Sequence, residues 1–150
     1  MYATDQPLYR LSDPLGALRR LIATVIANVG LAIITNRITQ AGTAPKNIGW
    51  GTGAGTAAVG DTTLFTEALV NLSAGTTDHT VGTESRTTTT QTNDTYTVTG
   101  TRTATGSGTV TNAGTWDAAS GGTLFIKGDF TGIGLASGDS IAFTINCKFA

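Results

Sequence analysis

The sequence predicts a mainly β protein, an antiparallel β-sandwich or barrel of jelly-roll-like form that carries an N-terminal arm and helix. Three observations predict it. From Thr83 onward polar and apolar residues alternate with a period of two, most plainly where Thr95, Thr97, Thr99, Thr101, Thr103 and Thr105 hold successive odd positions. That period places neighbouring side chains on opposite faces of a strand. Gly- and Ser-rich breaks separate such runs, as expected of antiparallel strands joined by turns. Finally, 31 of the 150 residues are Thr and 20 are Gly, and a β-branched hydroxyl residue suits a pleated surface that is half exposed.

Two parts follow from the pattern: an arm and apolar helical segment over 1–45, and an antiparallel β domain over 46–150. Residues 1–12 show no period and read as an extended arm. Ser12 or Asp13 ahead of Pro14 has the form of a helix start, because a short polar side chain caps free amides and proline has no amide to leave unpaired. Leu15, Leu18, Leu21, Ile22, Val25, Ile26 and Val29 then recur at three- and four-residue spacing, which predicts one broad helical face. Gly30 interrupts it. Residues Leu31 to Ile38 fit a continued helix or a strand, with helix preferred. Of the apolar face, Leu18, Ile22, Val25 and Ile26 form the candidate assembly contact on their spacing, which sets them along one side of a helix.

Gly42 to Pro45 reads as a turn and Asn47 to Gly51 as a short buried strand. In the stretch after it, Gly51, Gly53 and Gly55 predict a structural turn or a close approach that a Cβ would forbid. Asp61, followed by Leu64, Phe65 and Ala68, predicts a capped short helix. Gly53-Ala-Gly55-Thr-Ala-Ala58 also fits a loose phosphate-loop pattern, but no Walker lysine follows and no βαβ unit surrounds it. Asn71 to Val81 reads as an exposed loop, with His79 solvated in it. Thr87 to Thr92 and Thr95 to Thr105 predict a hairpin turning at Asn93-Asp94, with Arg102 pairing a carboxylate or projecting from an edge. Thr109 to Trp116, Thr123 to Phe130 and Ile141 to Phe149 complete the strands. In the last, Ile141, Phe143, Ile145, Cys147 and Phe149 mark the buried face.

Composition narrows function. A net charge of −1 and a charged fraction of 13% argue against nucleic acid as partner, because neutralising phosphates takes a clustered excess of Lys and Arg. Leu21 to Ile34, at 14 residues, is too short to cross a bilayer as a helix, so no membrane partner is expected. One cysteine, Cys147, forms no intramolecular disulfide and fits a small buried apolar role. No set of His, Cys and carboxylates at metal spacing, no nucleophile beside a base and no working carboxylate pair stands out. The expectation is a protein without catalytic residues, cofactor or metal.

Gly30-Leu-Ala-Ile-Ile-Thr-Asn-Arg37, Ile48-Gly-Trp-Gly-Thr-Gly53 and Asp61-Thr-Thr-Leu-Phe-Thr-Glu67 resemble a group of small virion proteins of tailed bacteriophages. Asn93-Asp-Thr95, Thr111-Asn-Ala-Gly-Thr-Trp-Asp117, Gly122-Thr-Leu-Phe125 and Gly138-Asp-Ser140 are similar to that group in order and spacing. The resemblance covers residues 30–150 and implies a virion component. On it rests the expectation of a capsid decoration (cement) protein, a trimeric homo-oligomer whose partner is the major capsid protein or another virion protein. The alternative is a tail or fibre component that attaches to host-surface glycan, for which Trp50 and Trp116 are the only indoles available as an aromatic platform, although both read rather as core or turn residues.

Overall fold

The computed structural model describes residues 23–149. Nine strands and one α-helix follow in order: β1 (Ala23–Ile26), a 3-10 turn (Asn28–Gly30), α1 (Leu31–Ile38), β2 (Asn47–Gly51), β3 (Glu67–Ala68) and β4 (Thr80–Val81). Then come β5 (Thr83–Thr87), β6 (Thr95–Thr103), β7 (Gly108–Trp116), β8 (Leu124–Leu135) and β9 (Ser140–Lys148). They form two packed antiparallel sheets, a β-sandwich as the alternation predicts. The larger sheet runs β1-β8-β7-β2-β3, with β4 also on β2, and the smaller runs β5-β6-β9.

The core lies between the sheets. Ile48 and Trp50 of β2, Val110 of β7 and Ile126 of β8 meet Val98 of β6 and Ile141, Phe143, Ile145 and Cys147 of β9. The alternation read from Ile141 to Cys147 is therefore the buried face of β9, and burial pushes the Cys147 thiol up to about 12. Phe149, assigned to the same face, lies beyond the strand and is exposed. Residues Leu31–Ile38 do form the preferred helix, which seats Ile33 in the core.

Three local expectations are corrected. The helical face drawn through Val25, Ile26 and Val29 does not exist: Ala23–Ile26 is a strand paired with β8 from Ala23↔Asp129 to Ile26↔Ile126. Thr24-Val25-Ile26 is a β-branched run that favours extended backbone, and an unbroken apolar run satisfies helical spacing whatever its conformation. Leu18 and Ile22 lie outside the described residues, as do the arm and the predicted helix start.

The second correction is the capped helix after Asp61. The Asp61 carboxylate instead accepts from the earlier amide of Ala58 at 2.9 Å. Backbone groups that a helix needs are engaged across the chain: Phe65 N–H donates to Asn112 Oδ1, while Phe65 and Thr66 carbonyls accept from Gly53 and Thr52. The segment leads into β3.

The third concerns the hairpin. Its paired strand is β5, in register Thr87↔Thr95 to Thr83↔Thr99, so most of the predicted partner, Thr88 to Thr92, belongs to the connecting loop. Asp94 explains the length of that loop. Its carboxylate accepts from the amides of Thr89, Thr90 and Gln91 and from the Thr89 hydroxyl, an arrangement that a two-residue turn cannot provide.

Candidate functional site

The glycine stretch is the natural first place to look. Gly51 closes β2 and Gly53 and Gly55 follow it; none needs a positive φ. They are close approaches. A Cβ on Gly51 would stand 2.5 Å from Asn112 Oδ1 and 2.6 Å from the Phe65 carbonyl, and one on Gly55 would stand 2.5 Å from the Phe65 ring. Asn112, wholly buried, fastens the strands: its Nδ2 donates to the carbonyls of Gly53 and Phe65 at 3.0 and 3.1 Å. The space an anion would occupy is filled by protein, and the Lys127 ammonium, which sits over the Phe65 ring, already donates to Asp61 Oδ2 at 2.8 Å and to Thr63 O.

A buried polar network lies on the other side of β2. Arg102, expected to pair or project, is paired: it is 1% exposed, forms an ion pair with Asp78 and also donates to the Ile48 and Ala68 carbonyls. Its guanidinium carbon sits 4.8 Å from the Trp50 ring. Desolvation lowers its pKa, and the Asp78 hydrogen bond opposes that shift.

His79 is not solvated. The ring is buried, stacked on Trp116 at 4.2 Å between centroids, with Nδ1 donating to Ala118 O at 2.9 Å and Nε2 2.7 Å from Glu67 Oε1. The sequence reading missed this because Glu67 and His79 are twelve residues apart, and only the β2–β3 pairing brings Glu67 inward. A histidine held by a carboxylate has the outline of a base with its orienting acid. Here both side chains are almost fully buried and both ring nitrogens already have partners, which leaves no nitrogen to take a proton from a substrate. The pair ties β3 to the turn after β7. Among the described residues no group of three or more His, Cys, Asp and Glu side chains is placed to hold a metal.

The accessible feature is a groove of about 500 Å³ between α1 and the small sheet. Ile34 and Ile38 of α1 form one wall and Tyr96, Phe125 and Phe149 much of the remainder. Tyr96 meets Phe125 edge to face at 6.0 Å. Its buried hydroxyl has no hydrogen-bond partner among the described residues, and burial raises its pKa, with Glu84 adding to the shift. Arg37, Glu84 and Arg86 supply the polar rim. Beside the groove, Ile38 is 77% exposed and Leu31 53%.

Comparison of the chain with protein-family models, with curated proteins and with solved structures gives no match. The site therefore stands on its own geometry. Of the predicted assembly residues, Val25 and Ile26 are half-buried in β1, and as neighbours in a strand they point to opposite faces. Ile26 packs against the core. Uncovered apolar surface lies instead on α1 and around the groove. Among the described residues no helix is long and apolar enough to cross a membrane.

Proposed function

We propose that the chain is a non-enzymatic structural protein of a bacteriophage virion, a decoration (cement) protein that seats on the head lattice and stabilises it. The observation that carries this reading is the apolar surface left open on α1 beside the groove, where Ile38 and Leu31 face solvent. Contiguous apolar surface of this kind marks a place for a protein partner. The segment that forms α1 is also one of the stretches, Gly30 to Arg37, that resemble phage virion proteins. Its partner is the major capsid protein or another virion protein, and a trimeric homo-oligomer is the assembling unit.

A cement protein adds contacts across joints that internal pressure would open, so its effect rises with occupancy by mass action. The test is to compare virions with and without the protein. Lower resistance to heat and osmotic shock in the depleted particles is expected, and equal resistance overturns the reading. Attachment to host-surface glycan is supported less well, because sugar sites combine polar groups with an aromatic platform and both Trp50 and Trp116 are buried.

A further inference from the structure

We infer that β5 is a two-fold self-association edge, through which two copies of the chain join their small sheets into one. Among the described residues β5 pairs only with β6 in that sheet, and all five of its residues are exposed. An edge of this kind presents unpaired amides and carbonyls to any extended chain of suitable pattern.

The sequence of the edge selects its partner. Thr83-Glu84-Ser85-Arg86-Thr87 is charge-complementary to itself when a second copy lies antiparallel with Ser85 opposite Ser85. Glu84 of each copy then faces Arg86 of the other, and Thr83 faces Thr87. Oppositely charged pairs directly across an antiparallel ladder are favourable and like pairs unfavourable. A two-fold axis makes each such contact twice, because the same patch serves both partners. A run of like charges on this edge would repel a second copy; this arrangement attracts one.

The surroundings agree. Among the described residues Arg86 has no ion pair, whereas Glu84 has Lys46 at 3.0 Å with both side chains 38% exposed, a weak surface contact that leaves the carboxylate open to a second cation. Glu84 and Arg86 also line the groove, so pairing the edges joins the grooves of two copies across the axis. Five residues of backbone bury too little alone for a stable interface of about 1,200 Å² or more. The exposed side chains of Ile38, Val81 and Phe149 flank the edge and groove and supply further apolar area.

The inference rests on the edge and not on the virion reading. A two-fold contact differs from the three-fold contact of a trimer, so splitting one leaves the other whole. The test is sedimentation velocity of the full chain over a range of concentrations. Wild type is expected to show a twofold step in mass, and Glu84→Arg or Arg86→Glu alone to weaken that step at least about tenfold.

Restoring complementarity is the decisive arm. The double variant E84R/R86E is expected to associate like wild type, and a one-to-one mixture of the two single variants to associate although each alone does not. Loss of the Lys46 contact by unfolding predicts neither rescue, and a melting curve on each variant identifies it. The inference is overturned by a wild-type mass that never doubles, by association that survives both single reversals, or by association that neither the double variant nor the mixture regains.

Discussion

His79 lies flat against Trp116, ring centroids 4.2 Å apart and planes 17° from parallel, while its Nε2 meets Glu67. Three segments distant in sequence are joined by that one imidazole. His79→Leu keeps the bulk and removes both hydrogen bonds, leaving the Glu67 carboxylate buried without its partner. Breaking a buried pair from one side costs about 3 to 5 kcal/mol. Urea unfolding is expected to show a loss in that range, and H79L combined with Glu67→Leu is expected to recover part of it.

Arg102 predicts a sharper chemical distinction. Its two terminal nitrogens reach Asp78, Thr80 and the Ile48 and Ala68 carbonyls at once, a spread that a planar fork covers and an ammonium does not. Arg102→Lys should therefore destabilise nearly as much as Arg102→Met, by about 2 kcal/mol or more. Equal stability of R102K and wild type in denaturant would show that charge alone is what the site requires.

For the glycine stretch, Gly53→Val should lower stability by more than the roughly 1 kcal/mol of a propensity change, since its Cβ would stand 2.6 Å from the Thr66 hydroxyl oxygen and 2.8 Å from the Phe65 backbone. Gly51→Val and Gly55→Val should behave alike. The loss should appear in phosphate-free buffer. Asn112→Asp should match it, because a carboxylate presents an acceptor to the carbonyls of Gly53 and Phe65 where the amide donates. Calorimetric melting of the four variants checks both statements, and unchanged melting for all of them would refute the packing account.

Asp94 predicts a response to acid. Desolvation acts to raise its pKa, but the amides of Gln91, Thr89 and Thr90 and the Thr89 hydroxyl together hold it well below the usual carboxylate range. A depressed folded-state value means that the carboxylate's contribution is complete above its unfolded pKa of about 3.9. The contribution is lost as pH falls through the lower folded value. Amide exchange in the loop 88–94, corrected for intrinsic rates, should rise below about pH 3.9 in wild type. In Asp94→Asn it should already be raised at neutral pH and change little with acid. A wild-type loop that stays protected down to pH 1 would count against this account.

What the sequence disclosed and concealed has a physical pattern. Ile141 to Cys147 was legible because one of its faces is dry and the other wet, and a period of two records that directly. Ala23 to Ile26 was not, since an uninterrupted apolar run holds no period, and only the free edge of β8 decides that it is extended. Asp61 looked like a cap because caps are read from local spacing, whereas its carboxylate serves Lys127, 66 residues away. Glu67 and His79 were concealed for the same reason. Trp50 and Trp116, read as core or turn residues, are buried, and the groove was invisible because it is made of six segments that meet only in the fold.

The pairing of β1 with β8 has a consequence for how the protein is made. Ala23 finds its ladder partner at Asp129, about a hundred residues later, and β2 likewise waits for β7. On the ribosome the apolar residues Val25 and Ile26 emerge long before the strand that receives them is synthesised. Domains dominated by such distant pairings fold in milliseconds to seconds, where helical bundles take microseconds to milliseconds. During that wait the early strands expose the surface that makes nascent chains adhere to one another. The larger sheet is completed only after most of the chain has been translated, so a truncation ahead of residue 124 removes β8 and leaves β1 with no strand to join.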